Sequence, residues 1–230
     1  MKRNIFFTMF NVITVCIFLL LASAACCYGA SLKAFVAGEG GKPVEYAVVT
    51  VTPASSPMKD SKAPLQAVVD QVDKEFIDYV TAVQAGTTVT FPNNDKIRHH
   101  VYSFSSAKNF EIPLYPPGAN TKNKILFDKP GVVVIGCNIH DWMKAYVYVV
   151  DTPYFARSDS HGKAVINNLP EGQYEAVVWH PAMGPKSQGQ KVKVSVTGSN
   201  DSDVKFTVQL TQQWRSRRGP LLEGGGGLYR

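Results

Sequence analysis

Apolar and polar residues alternate with a period of two through most of residues 31–210, the pattern of strands with one face buried and one wet. Leu32-Lys33-Ala34-Phe35-Val36 opens the series, and Val44-Glu45-Tyr46-Ala47-Val48-Val49-Thr50-Val51 follows after a Gly/Pro turn. Further strands are expected at 65–72, 75–82, 87–91, 101–104, 124–127, 132–136 and 144–150, separated by Gly, Pro and Asn turns. Residues 105–120 carry Pro113, Pro116, Pro117 and Gly118, so they read as a loop with room for a short helix. Residues 152–210 return to the strand pattern, and no long segment has helical periodicity. Many short strands with regular turns predict an all-β chain built as a sandwich or barrel.

The pattern fails at three places. Residues 1–30 hold Lys2 and Arg3 ahead of the apolar run 5–25, which ends in small residues; this reads as a secretory leader cut near Gly29 or Ala30. Two alternatives stay open there: a lipid anchor on Cys26, from the weak signal Ser23-Ala24-Ala25-Cys26, and retention as a membrane anchor, although the cleaved chain is expected to keep no stable span. Residues 54–63 form a Ser/Pro/Lys linker, and 211–230, with Gly224-Gly225-Gly226-Gly227, read as a disordered tail. Without Lys2 and Arg3, 22 basic residues face 18 acidic ones, a net charge of +4. So mild a charge gives no case for nucleic acid; at most it favours an acidic protein partner, an effect salt would weaken.

Cysteine placement changes the picture most. Cys16, Cys26 and Cys27 lie in the leader, so the mature chain keeps Cys137 alone. It cannot form an internal disulfide, and a lone thiol in an oxidising compartment is a liability unless something occupies it. Cys137-Asn138-Ile139-His140-Asp141-Trp142-Met143 sets a thiolate, an imidazole and a thioether at three-residue spacing. Such soft donors suit copper better than the oxygen-seeking cations. The plain alternatives are a buried inert Cys and a core-filling Met; the shared spacing argues against both. Zinc also binds Cys and His, but there is no second Cys pair and structural zinc rarely takes Met. A copper site of this type needs a second His. His99 and His100 are the upstream candidates, and on a strand only one of them can face the metal. Asn94 or Asp95 could orient that loop, while Trp142 reads as packing or docking surface.

Asn93-Asn94-Asp95, then His99, then Cys137-x-x-His140-x-x-Met143, together resemble the type 1 copper pattern of the cupredoxins, with a short ligand loop similar to that of amicyanin. Thr88-Val89-Thr90-Phe91-Pro92-Asn93 and Leu114-Tyr115-Pro116-Pro117-Gly118 resemble the periplasmic plastocyanin-like proteins labelled methylamine utilization proteins. The resemblance covers roughly residues 62–150. It implies a Greek-key barrel over 61–151, one copper ion on His99, Cys137, His140 and Met143, and one-electron transfer between redox protein partners in the periplasm. The residues themselves offer no second copper cluster, paired carboxylates or Ser/His/Asp arrangement, so no enzyme is expected; a periplasmic copper carrier or sensor, and an assembly module built on the sandwich, stay open as alternatives. His100 stands where the family commonly has Asn, whose side chain ties the two ligand loops together. Asp159-x-x-Gly162 and Leu169-Pro170-x-Gly172-x-Tyr174 resemble the carboxypeptidase regulatory-like, transthyretin-like sandwich, whose first half the hairpin within 31–60 would supply and whose remainder would be 152–210. The copper domain would then be inserted into this sandwich, and 44–52 should share a sheet with, or pack on, 174–179.

Overall fold

The computed structural model describes residues 29–55, 65–119, 123–183, 190–198 and 201–211. The leader, most of the 54–63 linker and the Gly-rich tail fall outside them. Seventeen strands follow in order: β1 (Ala30–Ala37), β2 (Val48–Pro53), β3 (Gln66–Val68), β4 (Gln71–Val72), β5 (Glu75–Phe76), β6 (Val80–Gln84), β7 (Thr87–Thr90), β8 (His99–Ser105), β9 (Lys108–Tyr115), β10 (Lys124–Phe127), β11 (Gly131–Cys137), β12 (His140–Val150), β13 (Phe155–Arg157), β14 (Lys163–Leu169), β15 (Gly172–Trp179), β16 (Lys191–Val196) and β17 (Ser202–Thr207). The fold is all-β. Among the described residues, one 3₁₀ turn at Glu39–Gly41 is the sole helical element.

Apart from the two-stranded β4-β5 sheet, the strands build two face-to-face pairs of sheets. In one pair, β14-β1-β17 covers β13-β2-β15-β16, and the core between them holds Leu32, Val36, Val49, Val51, Leu169, Ala176, Val178 and Phe206. In the other, β10-β7-β3 covers β6-β12-β11-β8-β9, around Val89, Phe91, Phe127, Val133, Ile135, Cys137, Met143 and Val147. The chain therefore leaves the first pair after β2, builds the second, and returns at β13. The expected meeting of 44–52 with 174–179 is present: β2 lies antiparallel to β15, with Thr52 opposite Glu175 and Val48 opposite Trp179.

The turn motifs have visible causes. Asp159 Oδ1 accepts the backbone N–H groups of His161 and Lys163, and Gly162 sits at φ +76° with its carbonyl bonded to the Val36 N–H. A Cβ at Gly162 would lie 2.4 Å from the Val36 oxygen, so a side chain has no room there. The Tyr174 hydroxyl donates to the Pro170 carbonyl at 2.7 Å, closing the second motif.

Two sets of expectations need correction. Residues 105–120 are not mainly a loop: β9 runs through 108–115 as the antiparallel partner of β8. Pro113 is tolerated because β9 is the outer strand of its sheet, where a missing N–H costs no ladder bond. The expected strands at 65–72 and 75–82 are each broken in two, at Val69-Asp70 and Ile77–Tyr79, because each half serves a different sheet. Ala30, at the expected end of the leader, is the first residue of β1, buried and paired with Leu169.

β12 joins the two halves. Met143, Ala145, Val147 and Val149 alternate into the core beside Cys137. Tyr146 and Tyr148 on the opposite face meet Val48, Trp179 and Val80. Trp179 stacks on Tyr148 with ring centres 4.5 Å apart. Arg157 donates to Asp78 Oδ1 and to the Val80 carbonyl, with its guanidinium 5.3 Å from the centre of the Tyr46 ring.

Candidate metal centre

β11 ends at Cys137 and β12 starts at His140, so a tight hairpin brings both side chains into one space. The register slips at this point, Gly136 facing Lys144 while Cys137 faces His140, and Asp141–Met143 are taken up as extra residues on β12. β8 lies on the other side of β11, with Val101 opposite Cys137. Gly136 allows this approach, since a Cβ there would sit 3.1 Å from the Tyr102 ring. His99, at the start of β8, is thereby carried to the same point from a distant part of the sequence.

The His99, Cys137 and His140 donor atoms lie within 4.8 Å of one another. Cys137 Sγ is 3.7 Å from His99 Nδ1 and 3.5 Å from His140 Nδ1, so both rings present the same nitrogen to the sulfur. Their centres are 5.0 Å apart. His99 is fully buried, and His140 keeps 9 % of its surface. Met143 is buried in the same cluster as Cys137. His100 points away: its Nε2 lies 2.9 Å from Glu111 Oε1, without hydrogen-bond geometry, and its ring meets Tyr102 edge-on.

Asp95 fixes the buried imidazole. Its Oδ2 accepts from His99 Nε2 at 2.9 Å and from the Lys74 N–H at 2.6 Å, while Oδ1 accepts from the Lys96 N–H. A carboxylate behind a ligating ring orients it and aims the other nitrogen; here it turns Nδ1 toward the sulfur. Asn93, fully buried, holds the loop: its amide donates to the Ile97 carbonyl, its Oδ1 accepts the Asp95 N–H, and its own carbonyl accepts the Gly118 N–H. Asn94 instead donates to Asp70. Of the two candidate orienting residues, Asp95 touches the imidazole.

Cys137 and His140 are both shifted toward the forms that ligate a metal. Burial alone would push the Cys137 thiol up, but the His99 ring and the N–H groups of His100 and Ile139 outweigh it and hold the thiol below its ordinary value. Burial, with His99 and Lys74 nearby, pushes His140 down, toward the neutral form that can ligate. Burial opposes charge on His99, yet Cys137 and Asp95 raise it overall. Asp95 resists its own burial through the Lys74 N–H, His99 and the Lys96 N–H, and stays below the usual carboxylate range.

The sequence reading missed the supporting residues from β4 and β5. Gln71, fully buried, donates to the Pro92 carbonyl and pairs with the Tyr115 hydroxyl behind the site; burial pushes that phenol up to about 12. The Trp142 indole N–H donates to the Lys74 carbonyl at 3.0 Å, and its ring lies 5.3 Å from that of His140. Only the two-residue gap Asp73-Lys74 between apolar runs hinted at a turn there.

These features define an all-β protein with a buried His/Cys/His cluster. No family model and no curated protein matches the chain. Solved structures to which it is similar include a copper-containing nitrite reductase, a purple cupredoxin and amicyanin. A copper-containing nitrite reductase from Thermus scotoductus SA-01 is 28 % identical over 43 % of this chain and 25 % of its own, with a TM-score of 0.34. A purple cupredoxin from Nitrosopumilus maritimus is 23 % identical over 37 % of this chain and 99 % of its own, with a TM-score of 0.32. A reduced amicyanin variant is 21 % identical over 44 % and 99 %, with a TM-score of 0.34. The match thus spans a quarter of the reductase chain.

Proposed function

We propose that this chain is a type 1 copper protein of the periplasm that passes single electrons between redox protein partners and catalyses no reaction of its own. One observation carries the reading: two imidazoles present Nδ1 to one buried, easily ionised thiol. The donor set fits. It offers sulfur and nitrogen and no carboxylate oxygen, which favours copper over magnesium, calcium or manganese. Bound copper would supply a one-electron couple. His99, Cys137 and His140 would hold it, with Met143 as the weak fourth ligand that tunes the potential.

The rest follows from the surrounding chain. Asp95 keeps His99 from rotating, and the N–H groups at His100 and Ile139 stabilise the thiolate. The sulfur sits in an apolar cluster, with Cys137 and Met143 both buried. A pocket held this firmly needs little rearrangement between oxidation states, which suits electron transfer better than metal delivery. Secretion rests on the leader motif, and the outer sandwich resembles the transthyretin-like modules at its Asp159–Gly162 and Leu169–Tyr174 turns. The test is an optical and EPR spectrum of the purified mature chain after copper addition. An intense thiolate-to-copper band that disappears in Cys137→Ser is expected. A colourless wild-type protein, or a band that survives the substitution, overturns the reading, and tight Cu(I) binding without a reversible wave would point to a carrier.

A further inference from the structure

Two-residue hairpin turns with both central φ values positive are normally built from Asn-Gly or Asp-Gly. β4 and β5 are joined instead by Asp73 (φ +51°) and Lys74 (φ +60°), between the paired residues Val72 and Glu75. Neither is glycine, so the turn is held in a costly conformation at an exposed tip. The Lys74 peptide groups face the metal centre on both sides. The N–H donates to Asp95 Oδ2, the same oxygen that holds His99. The carbonyl accepts from Trp142, whose ring lies against His140.

From this geometry we infer that the Asp73-Lys74 turn is a clamp that locks the two ligand loops to one another through the backbone of Lys74, a positioning role resting on the metal reading above. The clamp supplies a link that His100 cannot. His100 stands at the upstream loop with its side chain turned to Glu111, so to the Asn138 N–H to His100 carbonyl bond, the adjoining strand register and the His99 contacts with Cys137 and His140, Lys74 adds a tie between the loops. Because the Lys74 main chain carries it, the hydrogen-bonded link survives a change of side chain while the turn persists, even though the Lys74 charge also acts on His140.

The clamp predicts that an alteration on one loop is felt on the other. The readout is the hydrogen-exchange rate of the His99 Nε2–H in metal-free protein, followed by NMR, with β11–β12 backbone amides as the internal reference. Trp142→Phe removes the indole donor on the downstream loop yet keeps a ring beside His140. It is expected to speed exchange at His99 about five- to tenfold, the loss of one hydrogen bond, and to change the copper hyperfine splitting. Lys74→Pro, which deletes the N–H and cannot adopt φ +60°, should do the same or more, while Lys74→Gly, which keeps both main-chain groups, should leave exchange at His99 at its wild-type value. Unchanged exchange at His99 in Trp142→Phe, with the reference amides steady, overturns the clamp even if the protein is blue. A wild type that never turns blue overturns the metal reading, and the metal-free exchange still decides the clamp.

Discussion

Asp95 does more for the site than any residue outside the donor set, because one oxygen answers both His99 and Lys74. Its replacement by Asn removes the charge with little change of shape. We expect Asp95→Asn to weaken copper binding about 10- to 100-fold, the usual effect of losing a partner behind a ligand, measured by competition with a chelator. The same residue sets an acid limit on the metal-free protein. Its folded pKa lies below the ordinary value, so the stability it contributes is present above about pH 4, where the unfolded carboxyl is ionised. That stability is lost as pH falls through the lower folded value. Urea unfolding should therefore show wild type ahead of Asp95→Asn at pH 7 and the gap closing toward pH 3. Tyr115 gives the opposite limit: with its phenol raised to about 12, its contribution holds below about pH 10 and disappears as pH rises through 12.

At the scale of elements, strand alternation decides which aromatic matters. Phe91 is fully buried between the second pair of sheets, whereas Phe104, on β8, is 79 % exposed. Phe91→Ala should cost about 3–5 kcal/mol and Phe104→Ala under about 0.5 kcal/mol, read from denaturant midpoints. Period-two patterning made β1, β7, β10, β11 and β12 legible in the sequence, whereas the pairing of β2 with β15 was suggested by the resemblance of the Asp159–Gly162 and Leu169–Tyr174 turns to a transthyretin-like sandwich. It could not separate β3 from β4 or β5 from β6, because a strand that changes sheets keeps its alternation. β9 was hidden by Pro113, whose tolerance depends on an edge position that no local signal announces. At the site, three-residue spacing displayed Cys137, His140 and Met143, and adjacency displayed Asp95. Lys74 was invisible because its part is played by main-chain atoms, which every residue has.

Across the whole molecule, the two pairs of sheets meet at Tyr46, Tyr79, Tyr146, Tyr148 and Trp179, with Val48 and Val80 buried among them. Tyr79 meets both Tyr46 and Tyr146 edge-on, an arrangement favoured by the ring quadrupoles. The seam should make the halves melt together. Calorimetry of the wild type is expected to give one transition, and Trp179→Ala should split it in two, since that ring touches both Tyr146 and Tyr148. A single unchanged peak in the variant would mean that cooperativity arises elsewhere.

The return of the chain at β13 also has a temporal meaning. β1 waits for β14 and β17, its partners on either side, and Lys33 meets Asp201 only after nearly the whole sequence exists. The stretch from 65 to 150 needs no such delay. A nascent polypeptide emerging amino end first would thus finish its sulfur-and-imidazole pocket while β1 and β2 still lie bare, with open backbone edges liable to mispairing. Any chaperone acting on this protein should guard those early strands rather than the pocket.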